Sequence, residues 1–250
     1  MSAAQETLRL DRLLSNMGYG TRKDMQALVK AGRVVFDGRP VTDPGAHMPV
    51  SPGLSERLIV AGQKLDPPPG LVLLLHKPLG VTCSHKETGA LVYSLLPLRW
   101  QTRKPTISTI GRLDKETSGL LLMTDDGGLL HRVIAPKSHI AKRYVVTLAR
   151  PLHGDEADVL ASGTLLLDGE EKPLLPIAME LVRGAASDQP IVTVTLHEGR
   201  YHQVRRMFAA MGNHVAHLHR DRVGGLALPS DLAPGSFRIL DAEAIAAIFA

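Results

Sequence analysis

Residues 111–124 read GRLDKETSGLLLMT, an Arg and an Asp two positions apart in a short polar loop that feeds an aliphatic run. Gly111 allows close backbone approach, Thr117 and Ser118 can hydrogen-bond a turn, and Gly119 admits the positive φ of a sharp corner. Leu120 to Met123 read as a strand buried on both faces, ended by the turn former Asp126-Gly127. An Asp beside Thr, Ser and Gly in an arbitrary loop merely caps a turn. At the mouth of a buried strand the same carboxylate is placed for chemistry, and the rest of the chain decides between the two readings.

Downstream of a proline-rich segment, short aliphatic or alternating runs (71–75, 120–124, 144–148, 191–196, 215–219) are interleaved with few helical patterns. That mix predicts an α+β domain on a mostly antiparallel mixed sheet over residues 71–250. Val204, Met207, Phe208 and Met211 repeat a helical apolar stripe that Gly212 ends, and residues 241–249 predict a second helix. Asp66-Pro67-Pro68-Pro69-Gly70 can continue neither helix nor central strand, so 67–70 is expected to be a semi-rigid linker between domains. Upstream, Leu10, Leu13, Leu14 and Met17 lie at i, i+3, i+4 and i+7. Thr21 with Asp24 three residues on is a capping-box relative, and Gly32 suits a left-handed C-cap. Asp37-Gly38 between Val34-Val35-Phe36 and Arg39-Pro40-Val41 is a hairpin signal. These elements predict a small helix, helix, hairpin domain over residues 8–66.

The chain has 250 residues, 44% apolar and 22% charged, enough for one sizeable core and a small appendage. The N-terminus lacks an apolar signal core, and the longest aliphatic run is too short to span a bilayer, so the cytoplasm is the expected location, with no membrane partner. Cys83 is the single cysteine, which excludes an intramolecular disulfide and a multi-cysteine zinc site. Between Arg9 and Arg39 stand seven basic and three acidic residues, an excess equal to the whole formal net charge of +4. So local a cluster points to a polyanion such as nucleic acid, against the bland alternative of a solvated helical face.

Four segments, Lys77-Pro78-x-Gly80, Arg112-Leu-Asp-Lys-Glu-Thr-Ser-Gly, Lys142-Arg-Tyr-Val-Val and the EGRYHQVRRMF of 198–208, closely resemble, in order, the motifs of the pseudouridine synthases that act on ribosomal RNA. Residues 8–66 resemble the S4-like RNA-binding domain, first named for a ribosomal small-subunit protein. The resemblance implies an isomerase that breaks the uracil N1 to ribose bond and joins C5 to the same sugar carbon, with no cofactor and no metal. Such chemistry needs a carboxylate, a cation to keep it ionised, a platform for the detached base and an acceptor for the C5 proton. The resemblance makes Asp114 the essential carboxylate, Tyr144 the ring under the flipped uracil, and Arg205 the cation paired with Asp114. It gives Arg112 the gap left by the extruded base. Alternation alone makes Tyr144 a half-buried core residue, and a lone Arg205 a solvated one.

The RNA-binding expectation further covers Arg9, Arg12, Arg22, Lys23, Arg33, Lys142, Arg143 and Arg206. The YHQV form of the last motif is most similar to the subfamily that modifies uridine 516 in the 5′ domain of 16S rRNA. Its partner would be 16S rRNA or a partly assembled small subunit, and the enzyme a monomer. Sister subfamilies acting on 23S rRNA or tRNA, and a non-catalytic RNA-binding protein, remain the alternatives. Phosphotransfer through an aspartyl phosphate fits less well, because Glu116 spoils its motif spacing and no magnesium-binding Asp pair follows. His214, His217 and His219 have no carboxylate-histidine metal pattern, and Arg220 and Arg222 beside them suggest a phosphate-facing surface. Residues 183–189 read as a surface loop and Gly224-Gly225 as a bulge.

Overall fold

The computed structural model describes residues 7–84 and 87–250, which fall into two compact units. The first grows from the predicted stripe: Leu10, Leu13, Leu14 and Met17 are all fully buried. They lie on or just after helix Leu10–Asn16, which packs on helix Arg22–Lys30. The second helix starts with a complete capping box, Asp24 N donating to Thr21 Oγ1 at 3.2 Å and Thr21 N to Asp24 Oδ2 at 2.9 Å. Asp37 and Gly38 both have positive φ (48° and 76°) and join strands Val34–Phe36 and Arg39–Pro40. Those strands continue into a four-stranded sheet with Leu58–Val60 and Gln63–Lys64. An additional pair, Thr7–Arg9 with His47–Pro49, was not foreseen.

This unit also contains residues 93–108 and 123–127. The segment expected to be a linker is packed against them. Prolines cannot donate, but their carbonyls accept: Arg103 Nη1 donates to Pro67 O at 2.8 Å. Gly70 N donates to Asp125 Oδ1 at 2.9 Å, and Arg99 holds Asp66 through two bonds of 2.7 and 3.0 Å. Asp66 N in turn donates to Tyr19 Oη, and the Arg99 guanidinium lies 4.2 Å above the Tyr19 ring. Arg103 and Asp125 form a fully buried ion pair at 3.0 Å.

The second unit is built on a mixed, mostly antiparallel sheet. Its strands run in the order Ala178–Arg183, Ile191–Leu196, Lys142–Leu148, Val215–Val223, Ser118–Thr124, Val72–Lys77 and Phe237–Ile239. Leu226–Ala227 and Ser108–Ile110 pair off this path. The pairing of Val215–Val223 with Ser118–Thr124 is parallel. Alternation works as predicted in Lys142–Leu148 and Ile191–Leu196, whose Val146, Leu148, Val192, Val194 and Leu196 enter one core. Helix Gln203–Ala210 covers that core with Val204, Met207 and Phe208. Helix Ala242–Ala247 matches the second expectation.

Residues 178–183 form an exposed edge strand, so the surface loop begins only after it. Gly224-Gly225 makes a hairpin turn instead of a bulge. A Cβ on Gly224 would meet Ile248 O at 2.0 Å, and Gly225 N donates to Ala247 O, so the C-terminal helix end leaves room only for glycine. Among the described residues no helix is long and apolar enough to cross a membrane.

Candidate active site

The turn carrying Asp114 is closed by Thr117 N donating to Asp114 O at 3.0 Å. It is fastened from below by Lys77, the last residue of strand Val72–Lys77. Lys77 is fully buried, and its Nζ donates to Pro78 O (3.0 Å), Lys115 O (3.3 Å) and Thr117 O (2.8 Å). Gly80 N donates to Lys115 O as well. The KPxG strand end and the DKET turn are thus one construction, in which a buried ammonium gathers the carbonyls of the turn. Burial pulls the Lys77 ammonium below its usual value, opposed by the nearby Cys83, Glu116 and Asp114. Cys83 is buried beside it, and its thiol is pushed up by the same loss of water.

In place of the expected Asp114–Arg205 ion pair, Arg205 engages two main-chain carbonyls, Glu116 O at 2.8 Å and Val215 O at 3.1 Å. A planar fork of donors is saturated as well by two fixed carbonyls as by one carboxylate. Arg205 therefore holds the Asp114 turn against strand Val215–Val223. The side chain that approaches the Asp114 carboxylate is His202, whose Nε2 lies 3.4 Å from Oδ1. The Asp114 side chain is 38% exposed, open to an incoming ligand.

Tyr144, half-buried at one end of the core, has Arg220 as its cross-strand neighbour. Arg220 is buried, donates Nε to Leu120 O at 2.8 Å, and brings Nη1 within 3.5 Å of the Tyr144 hydroxyl. Arg220 is therefore buried in the sheet and does not lie on the phosphate-facing surface expected from the sequence. Its strand is paired on both sides, and Gly119 draws strand Ser118–Thr124 so close that a Cβ there would lie 2.1 Å from Arg220 O. Arg222 is likewise drawn in, its Nε buried without a hydrogen-bond partner. Sequence alternation could not reveal this, because it reports which face a residue occupies and not how many strands flank it.

The expected RNA contacts divide into held and free cations. Arg143 is paired with Asp221 at 2.6 Å, and Arg206 with Glu170 at 2.8 Å while also donating to Asp168 O and Tyr201 O. Lys142 Nζ donates to Ile140 O, and burial followed by the charge of Arg220 pulls its ammonium below the usual value. Arg112 is 70% exposed, with Glu87 only loosely paired at 3.8 Å. In the first unit Arg9 and Arg22 share the buried carboxylate of Asp11, whereas Arg12, Lys23 and Arg33 are exposed. His219 Nδ1 lies 2.8 Å from Ser118 Oγ, and burial together with His76 keeps its imidazole below the ordinary value. Among the described residues no group of three or more His, Cys, Asp or Glu is gathered to hold a metal ion.

A carboxylate turn braced by a buried lysine and an arginine, in a mixed sheet that also carries Tyr144, follows in the same chain a basic helix-helix-hairpin unit, a combination suited to an enzyme that acts on RNA. The chain belongs to the RNA pseudouridylate synthase family, whose model matches residues 71–210, and an S4 domain model matches residues 8–53. It is 38% identical over 97% of its length to the whole of the ribosomal small subunit pseudouridine synthase A of Vibrio cholerae. It is 37% identical to a Bacillus subtilis protein described as an uncharacterized RNA pseudouridine synthase, covering 94% of this chain and 96% of that one. A solved pseudouridylate synthase structure superposes with a TM-score of 0.65 at 33% identity, covering 96% of this chain and 99% of the other.

Proposed function

We propose that this protein isomerises one uridine of 16S ribosomal RNA, uridine 516 of the 5′ domain, acting as a cytoplasmic monomer on the RNA or on a partly assembled small subunit. In this reading residues 8–66 anchor the RNA and residues 71–250 carry the reaction. Asp114 is the reacting carboxylate, Tyr144 supports the detached uracil, and Arg205 with Lys77 fixes the turn on which Asp114 stands. One bond, N1 to C1′, breaks and one, C5 to C1′, forms. The C5 proton leaves and N1 takes one up, so the balance needs no co-reactant. A uridine must first be extruded from its stack, at a cost of a few kcal/mol, and the exposed guanidinium of Arg112 is suited to fill the gap it leaves.

The observation that carries the reading is that the strand bearing Tyr144 and the strand fed by the Asp114 turn both pair with Val215–Val223, while Arg205, on the covering helix, donates to Glu116 O of the turn and to Val215 O of that strand. The small-subunit target is supported by the full-length likeness to a relative of that name. Carbodiimide mapping of all stable RNAs in cells with and without the gene tests it. The expected result is loss of one pseudouridine in the 5′ domain of 16S rRNA, restored by the wild-type gene and not by Asp114→Asn. A missing modification in 23S rRNA or tRNA would reassign the target, and an unchanged map with an inactive purified enzyme would remove the reaction.

A further inference from the structure

Next to the carboxylate, the structure carries a pair of rings to which the reaction gives no part. Tyr201 and His202 are stacked, ring centroids 3.9 Å apart and planes 15° from parallel. His202 Nε2 reaches the Asp114 carboxylate at 3.4 Å, while Tyr201 is 75% exposed, second only to Leu98 among the large apolar or aromatic side chains of the described residues. A stacked ring covers one face of its neighbour only. The other face of Tyr201 is therefore turned to solvent, one ring's thickness from the group in contact with Asp114.

The pair is also held in place. His202 has φ +48°, a backbone state uncommon for residues other than glycine. Hydrogen bonds fix it: Arg206 Nη1 donates to Tyr201 O at 3.2 Å and Arg206 N to His202 O at 3.0 Å. Gln203 accepts from Arg200 N and donates to Glu198 Oε1, both at 2.9 Å. The guanidinium groups of Arg200 and Arg206 are thus already engaged, with Glu170, Glu198 and main-chain carbonyls. A surface ring with one free face, on a rigid turn beside a site that takes an unstacked nucleotide, matches the needs of a nucleobase that has lost its neighbour. Every base has a π-face, so such a platform is tolerant of sequence.

We propose that the Tyr201–His202 pair is a base-stacking platform, on which the open face of Tyr201 receives a nucleobase adjacent to the isomerised uridine while His202 ties the platform to Asp114. This rests on the RNA uridine reading above. The probe is a short RNA hairpin carrying the mapped uridine, with 2-aminopurine on its 5′ or 3′ side. It is titrated into full-length Asp114→Asn protein, so that binding is read without turnover.

Fluorescence should be quenched on binding at one of the two positions. Adding Tyr201→Ala should remove the quench and weaken binding about 5- to 150-fold, while Tyr201→Phe keeps both. On the same hairpin with abasic sites at both flanks, the Tyr201→Ala penalty should vanish. Binding within twofold of the parent, or a penalty that persists on abasic RNA, would overturn the platform. Tyr201 is exposed, and thermal melting verifies that each variant is folded. If wild-type protein forms no pseudouridine but the abasic-sensitive penalty is present, the stacking surface stands and the isomerase reading falls.

Discussion

Lys77 shows how one buried side chain sets the position of another, the Asp114 carboxylate proposed to react. Two of the three Lys77 hydrogen bonds end on carbonyls that follow Asp114 in the turn, Lys115 O and Thr117 O, and the third on Pro78 O, so losing them frees the turn without touching the carboxylate. Lys77→Met, of similar length, removes the ammonium donor from those carbonyls, at a cost of about 2 kcal/mol. A displacement of about 1 Å at the reacting group slows chemistry on the order of 100-fold. The expected outcome is a large fall in the single-turnover rate with RNA affinity changed only a few-fold, measured by rapid quench and filter binding. Equal losses in both would mean that Lys77 supports the RNA surface instead. The turn around Asp114 and the half-burial of Tyr144 were legible because turn residues and alternation are local signals. Arg220 and His202 were not: the burial of the first depends on strands distant in sequence, and the left-handed backbone of the second leaves no mark in its residue type.

Helices Leu10–Asn16 and Arg22–Lys30 are joined by a single carboxylate. Asp11, fully buried on the first, accepts from Arg22 and Gln26 on the second and from Arg9 beside it. The Arg9 hydrogen bond, aided by Gln26 and Arg22 and opposed by burial, holds the Asp11 carboxyl well below the usual carboxylate range. In the unfolded chain the group returns to about 3.8. Because the folded value is the lower one, the stabilisation is complete above that pH and is lost as pH falls toward the depressed value. Asp11→Asn should therefore melt earlier than wild type at pH 7, with the difference narrowing in acid. A gap that stays constant from pH 7 to pH 3 would show that the charge is not what matters. Both helices and the Asp37-Gly38 hairpin were readable because caps and periodicity are local signals. Helix Gly127–Ile134 was hidden by the two glycines that open it, and helix Glu156–Ala161 by its six-residue length. Strand Ala178–Arg183, at the sheet edge, shows no regular alternation of burial along its length.

The first unit is assembled from three separate stretches of chain, and its internal lock is the Arg103–Asp125 pair, each side chain 1% exposed. Breaking a buried pair by removing one partner costs about 3–5 kcal/mol. Trp100, the single tryptophan, lies in this unit with the Arg103 guanidinium 5.9 Å from its ring. Asp125→Ala should accordingly shift the urea transition followed by tryptophan fluorescence to lower concentration, and a midpoint equal to wild type would show that the pair is dispensable. The two-part plan was visible in the proline run, but the return of later segments was not, because no sequence signal links Asp66 to Arg99 or Gly70 to Asp125. That return sets an order of events during synthesis. The basic helices leave the ribosome early, yet the acceptor for Arg103 and Gly70 is made only at residue 125, halfway along the chain. Translation must pass the Asp114 motif before residue 125 can supply the acceptor for Arg103 and Gly70, so the buried lock of the first unit forms only after the turn that bears Asp114 has been made.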